Sequence, residues 1–455
     1  MSFRDFLKNL PEVKGPTEKK LSFNTKLKWT IIILVAFFIL SNIFVYGLAE
    51  NALQRFEYLA IILGTNFGSI ISLGIGPIVM ASIILQLLVG SKIVNIDTST
   101  EEGKKYFQGV QKLMVFFFVI FEAIVYVLMK GLQAIPGYSW IVILQLILGG
   151  LAIVFMDEIS TKWGFGSGVS LFIAAGVGAR LFNAAFQFLG REAGRLVFSP
   201  SGKIIVLINS IIGGNINTAA LAAAAIVVTI IIFLVVVWAQ SLKVEVPLSF
   251  DRLRGYGIKW PLSFFYASVI PVILTAALIA NLQLFARLAE NYLGHATILG
   301  GFSGGQPISG LAFWLSSTNL IELAIKGALE MKLILQGLSH IFFFMLFSTI
   351  FAIFWVKTSG MDAGSQAKNI LSSGLQIPGF RKDERVLESI LSRYILPLTI
   401  MGGAAIGLLA SVADLLGALV SGTAILLAVM ILYQFYQNIA QQHAVDMHPA
   451  LRKFI

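Results

Sequence analysis

The 455-residue chain has no cysteine. That excludes disulfides, a thiolate nucleophile and any cysteine-ligated metal centre. It leaves the redox compartment open, since most integral membrane proteins need no disulfides. Charge is nearly as scarce: Asp, Glu, Lys and Arg make up 12% of residues, against about 25% in an ordinary soluble domain. Of the four histidines (His295, His340, His443, His448), only His443 and His448 stand close together, and their spacing in a tail fits solvated surface better than a metal site. Gly-Lys occurs at 103–104 and 202–203 without the earlier glycine of a P-loop, and the glycines of "GFGSG" (164–168) lack dinucleotide-fold spacing. Neither H-E-x-x-H nor G-x-S-x-G occurs. No enzyme, metal or cofactor is expected, so energy for any work has to come from a partner or a gradient.

What is abundant is apolar chain: 57% of residues are hydrophobic and the mean hydropathy is +0.86. About 20 helical residues cross a hydrocarbon core about 30 Å thick. Charge-poor runs place spans near 29–48, 69–91, 111–130, 139–156, 168–190, 219–240, 262–286, 333–356, 393–414 and 419–440. Lipid-facing backbone must close its own hydrogen bonds and no barrel-like alternation occurs, so all ten are helices. The fold class is an all-α polytopic membrane protein. "LKWTIIILVAFFILSNIFVYGLA" is long enough to remain a first span rather than a cleaved signal peptide.

An even span count puts both termini on one side, and basic residues choose the side. With the N-terminus inside, cytoplasmic segments carry 24 of the 33 Lys and Arg residues, counting Lys112 and Arg393 at span ends, and 15 of the 23 acids. Nearly all of the +10 net charge then lies on one face. The division is a cytoplasmic segment 1–28, an N-terminal half 29–190, an external hinge loop 191–218, a C-terminal half 219–440 and a tail 441–455. Loops 241–261 and 357–392 are the long basic excursions. Five spans on each side of the hinge suggest two structural halves with function at their interface.

One stretch resists this scheme. No charge occurs from Tyr58 to Ser91, and those residues as one helix would be roughly 51 Å long. "ISLGIGPIVMASIILQLLVG" (71–90) carries Gly74, Gly76 and Pro77 where a span should run unbroken. Ahead of it, "LAENALQRFEYLAIILGTNFG" reads as a short helix ending in glycines, the pattern of a re-entrant segment. Irregular backbone at membrane depth is tolerated only when buried in protein or lining a cavity, so the break implies a cavity. Ionisable groups at depth are few: Glu122 inside a span and Asp414 near the end of another, with Gln86, Gln145 and Asn281 as uncharged polar residues. Interhelical hydrogen bonds of about 0.6 kcal/mol each account for such amides, and one acid makes a poor ion relay.

"GIGPIVMASIILQLLVGS" (74–91) and "MDEISTKWGFGSGVSLFIAAG" (156–176) together resemble the two signature stretches of SecY, the alpha subunit of the Sec protein translocon. "VEVPLSFDRLRGYGIKWPLSFFYASVIPVIL", "IFWVKTSGMDAGSQAKNI", "IPGFRKDERVLESILSRYI" and "SGTAILLAVMILYQFYQ" extend the likeness from about residue 10 to the C-terminus, with features of the archaeal branch. The resemblance implies two inverted five-helix halves around an hourglass pore. At matching positions the pore ring would be Ile75, Val79, Val169, Ile173, Ile273 and Leu427, although aliphatic residues in apolar spans also suit ordinary packing. An aliphatic constriction blocks ions by dewetting. Residues 52–66 would be a re-entrant plug helix hinged at Gly74, Gly76 and Pro77. A lateral gate between spans 2–3 and 7–8 would carry Gln86, Glu122 and Asn281; Met80 departs from a threonine that archaeal relatives can have. Arg252, Arg254, Arg381 and Lys382 would contact the ribosome, Arg254 and Arg381 above all, although positive-inside topology accounts for most basic residues in membrane loops. Implied partners are a SecE-type gamma subunit, a small single-span beta subunit, the ribosome, signal sequences with nascent polypeptides, and membrane lipid. The function implied is a protein-conducting channel in the plasma membrane. The competing function is an inverted-repeat secondary transporter of small solutes.

Overall fold

The computed structural model describes residues 10–17, 21–49, 68–90, 93–94, 96, 100–129, 131–192, 195–198, 201–250, 257–267, 269–303, 306–372, 375–376 and 383–447. The first half comprises α1 (Phe23–Asn42), α2 (Gly76–Gly90), α3 (Glu101–Leu128), α4 (Ser139–Trp163) and α5 (Gly168–Phe186). A hairpin, β1 (Leu189–Glu192) and β2 (Arg195–Phe198), and the short helix α6 (Lys203–Ile212) lead to α7 (Ile216–Gln240). Next come β3 (Lys243–Phe250), β4 (Gly257–Ser263) and α8 (Ile270–Leu293). The following segment holds β5 (Gly301–Ser303), β6 (Gln306–Ser309), α9 (Gly310–Leu315) and α10 (Leu320–Ile325). α11 (Met331–Thr358), α12 (Ala363–Ser372), β7 (Leu375–Gln376), α13 (Glu384–Leu416) and α14 (Gly422–Met447) complete the chain.

Nine helices among the described residues are long and apolar enough to cross a membrane, and α2, at 15 residues, is the short tenth span. Its length corrects the expected span 69–91: residues 71–75 are turns, and the helix starts only at Gly76. The first span starts six residues earlier than expected, because the Ser22 hydroxyl accepts the Thr25 N–H (3.3 Å) and caps it. Residues 43–49 then leave the helix and bridge Phe44 to Ser69 and Leu48 to Ala134. The seventh span begins at Ile270 instead of 262, since β4 occupies 257–263. Nor is 191–218 a plain loop: it contains most of the β1–β2 hairpin and all of α6.

Small residues let the spans approach. Gly403 and Gly407, one turn apart on α13, face α11; a Cβ on either would lie 2.9 Å from Ala352 Cβ or Met345 Cα respectively. Gly149 on α4 receives the turn before α2 so closely that a Cβ there would stand 1.9 Å from the Ile70 carbonyl oxygen. The largest apolar cluster draws on α1, α2, α4 and α5 of the first half and on α7, α8, α11, α13 and α14 of the second. Between the halves, α14 packs on α5, while α2 packs on α8 and α11.

On the face carrying the two long basic loops, β3 pairs with β4 and also, at Ser249–Gln376 and Phe250–Leu375, with β7. One small sheet therefore joins both loops. The N-terminal segment is clasped to the same end of α4. Glu158 accepts the Val13 N–H (2.9 Å) and pairs with Lys112, while Lys162 donates to the Val13 carbonyl (2.6 Å) and pairs with Glu12. The Lys162 ammonium, by hydrogen bond and charge, holds the Glu12 carboxyl below its usual range.

A candidate pore between the two halves

The break before α2 shows how irregular backbone survives at this depth. Ser72, Gly74 and Gly76 N–H groups donate to the carbonyls of Ser69, Ile71 and Leu73 at 2.8–3.1 Å, and the Gly68 N–H donates to the Ser72 hydroxyl at 2.8 Å. Local bonds of this kind are what buried irregular backbone requires. Ser69, Ile71, Ser72 and Leu73 are wholly inaccessible. Gly74 has φ +53°, a left-handed conformation that only glycine adopts at little cost. Pro77, in the first turn of α2, gives up an N–H that no helical carbonyl needs.

This turn delivers Ile75 and Val79, one helical turn apart (Val79 N–H to Ile75 O, 3.0 Å), to an internal cavity of about 80 Å³. Ile173 from α5, Ile273 from α8 and Leu427 from α14 line the same cavity. These five side chains are each only 4–6% exposed. Five of the six expected ring residues thus line one cavity between the halves. Val169 does not line it: half-buried, it packs against the same core while its N–H donates to Asp157 Oδ1 (2.9 Å).

That hydrogen bond explains much of the second signature stretch. The carboxylate of Asp157, a residue of α4, reaches the N-terminus of α5 and also accepts from the Ser167 hydroxyl (3.4 Å), while the Ser160 hydroxyl donates to the Gly166 carbonyl (2.8 Å). A Cβ at Gly168 would lie 2.6 Å from Asp157 Cα. "GFGSG" is a tight turn whose following helix end already holds a carboxylate of the same chain.

Gln86, Glu122 and Asn281 lie on α2, α3 and α8, and α2 packs against both other helices. All three are buried. Asn281 Nδ2 donates to the Ala277 carbonyl (2.9 Å), whereas Gln86 Oε1 and Glu122 Oε1 have no hydrogen-bond partner among the described residues. Met80 is half-buried. The expected plug, 52–66, and Arg252, Arg254, Arg381 and Lys382 lie outside the described residues.

The cavity has a second, polar wall: Gln283, Ser316, Ser317, His340, Asp414, Ser421 and Thr423. Motif position assigns neither Asp414 nor His340 a role. The available signal was an acid and a histidine inside apolar helices, where ionisable groups are rare.

Comparison with known proteins decides the family. The SecY family model matches residues 69–436. The chain belongs to the SecY family. It is 45% identical over 461 residues to the protein translocase subunit SecY of Methanothermobacter thermautotrophicus, covering 100% of this chain and 98% of the relative. The corresponding subunit of Methanocaldococcus jannaschii is 40% identical, covering 99% and 98%. Among solved structures, a protein-conducting channel superposes with a TM-score of 0.83 at 39% identity, and Sec61 of the canine ribosome–channel complex with 0.80 at 37%; each comparison covers 99% of both chains. The ten-helix SecY architecture is thus shared along the whole chain, and both signature stretches lie within the matched region.

Proposed function

We infer that this chain is the protein-conducting subunit of a translocase, moving unfolded secretory polypeptides across a membrane and releasing apolar segments sideways to lipid. The observation that carries this is the cavity between the halves, lined on its aliphatic side by Ile75, Val79, Ile173, Ile273 and Leu427. On that side of the cavity, aliphatic side chains exclude ions without binding them and offer a sliding polypeptide no fixed polar contact. The full-length similarity to translocase subunits supports the channel and not the small-solute transporter.

The two five-helix halves are inverted relative to each other and hinge at 191–218. Ile75, Val79, Ile173, Ile273 and Leu427 form the resting constriction together with Val169, whose side chain packs on the same core without lining the cavity. Residues 52–66 close it as a plug that pivots at Gly74, Gly76 and Pro77. Gln86, Glu122 and Asn281 mark the lateral gate, supported by the packing of α2 on α3, α8 and α11. Both termini are cytoplasmic in the plasma membrane, as the distribution of Lys and Arg favours. A SecE-type subunit clamps the halves and a single-span beta subunit completes the complex; signal sequences and membrane lipid meet it at the gate.

The ribosome docks on the two basic loops through Arg252, Arg254, Arg381 and Lys382, a placement supported by the sheet that joins those loops. Arginines facing ribosomal RNA act through phosphate contacts, whose affinity falls steeply with salt. Charge reversal of both Arg254 and Arg381 to glutamate is expected to weaken binding of empty ribosomes to the purified complex by at least about ten-fold at moderate salt, and to flatten its salt dependence. Unchanged affinity and salt slope would mean that these charges serve topology alone.

A further inference from the structure

Part of the polar wall is joined by direct contacts, through Ser316, His340, Asp414 and Thr423. Gln336, Ser339 and His340 stand at i, i+3 and i+4 on one face of α11. Gln336 Nε2 donates to the Phe313 carbonyl (2.9 Å) and the Ser316 hydroxyl (2.7 Å), and the Ser339 hydroxyl donates to the Trp314 carbonyl (2.8 Å). His340 Nδ1 lies 2.7 Å from the Leu315 carbonyl. A carbonyl only accepts, so Nδ1 carries the proton. Span 8 thereby grips the segment that supplies Leu315, Ser316 and Ser317 to the cavity.

The other ring nitrogen points elsewhere. His340 Nε2 faces Asp414 Oδ2 at 3.8 Å, with both side chains almost wholly buried and no hydrogen-bond partner for Nε2 among the described residues. Asp414 Oδ1 accepts the Thr423 N–H (2.7 Å), and Oδ2 accepts the Thr423 hydroxyl. Thr423 lies in the first turn of α14, and Leu427 follows one turn later on the cavity wall. A second contact ties the same parts together: a Cβ on Gly417, in the turn between α13 and α14, would fall within 2.1 Å of the Asn319 side chain, which caps α10.

We propose that His340 is a positioning residue for the pore ring, linking the 313–317 segment through Asp414 to the first turn of α14 so that they shift as one body and Leu427 keeps its place. This rests on the pore reading above. The ring needs such a device because aliphatic contacts are non-directional, whereas a buried ion pair, formed when Nε2 carries a proton as well as Nδ1, is a specific attraction between these two parts.

The test is the resting ion leak of the purified complex in planar bilayers, read beside its thermal unfolding midpoint. His340→Asn keeps a donor near the Leu315 carbonyl but withdraws the group facing Asp414. His340→Gln extends an amide toward Asp414 and gives up the carbonyl. His340→Asn and Asp414→Asn should each raise the leak about ten-fold, and the double variant no further, as expected for groups acting through one contact. His340→Gln should stay within about two-fold of the parent, as should Ser339→Ala, which loosens the same segment without touching Asp414. A merely structural histidine would instead make Asn and Gln leak alike, in proportion to lost stability. That outcome, or multiplying effects in the double variant, overturns the proposal. Should the His340 variants fail to fold, Thr423→Val removes the hydroxyl on Asp414 and must leak like Asp414→Asn; a parental leak there also overturns it. Leu427→Ala separates the two claims. If it does not leak, the pore reading fails; if it leaks while His340→Asn does not, only the joint fails.

Discussion

Replacing Ile273 and Leu427 together with asparagine is expected to turn the resting complex into an ion leak. The two side chains come from different helices of the second half, face one cavity and are each only 6% exposed. An aliphatic wall at this width holds water poorly, whereas amides hold it through hydrogen bonds, so the constriction wets and conducts. Conductance of the complex without substrate should rise by at least about ten-fold. Each buried amide also costs about 1–3 kcal/mol of stability if unpartnered, so a melting curve must accompany the measurement. Leu432→Asn is the control: Leu432 lies on α14 but is 58% exposed on its outer surface. It should leave the leak unchanged.

The second large effect concerns folding. Gly149→Val should prevent assembly of the first half, because its Cβ would stand 1.9 Å from the Ile70 carbonyl oxygen and 2.9 Å from Ile70 Cγ2. The obstacle is backbone, held at both ends by the turns before α2, and it cannot rotate away as a flexible side chain would. The cost should exceed the about 1–3 kcal/mol of ordinary overpacking, a large share of a total stability of about 5–15 kcal/mol. Even Gly149→Ala meets the same oxygen and should lower the unfolding midpoint markedly. Gly178→Ala provides the comparison, since a Cβ there would have nothing within 4 Å; helix propensity alone should make it neutral or slightly stabilising.

The ten spans were legible because lipid demands long charge-poor helices, and the chain supplies them with few exceptions. Their ends were less so. Ser22 starts α1 early through a hydroxyl whose role only becomes visible in three dimensions, and β4 takes residues that hydropathy alone assigns to the seventh span. The break at Gly74, Gly76 and Pro77 was readable from residue type, and the cavity it implies is present. Five of the six residues named by motif position line that cavity, whereas Val169 packs beside it and gives its N–H to Asp157. His340 and Asp414 could not be paired from sequence. They are 74 positions apart, and their meeting depends on the close packing of α11 and α13 at Gly403 and Gly407.

The absence of native cysteine makes the central test direct, because an introduced thiol is the sole thiol in the chain. Single cysteines at Val79, Ile273 and, as an outward-facing control, Leu432 would be offered to ribosomes stalled on a secretory chain carrying one cysteine. A polypeptide path through the ring gives disulfide crosslinks from Val79→Cys and Ile273→Cys and none from Leu432→Cys. Bound ribosomes with no crosslink at either ring position would contradict the assignment of this cavity as the conducting pore.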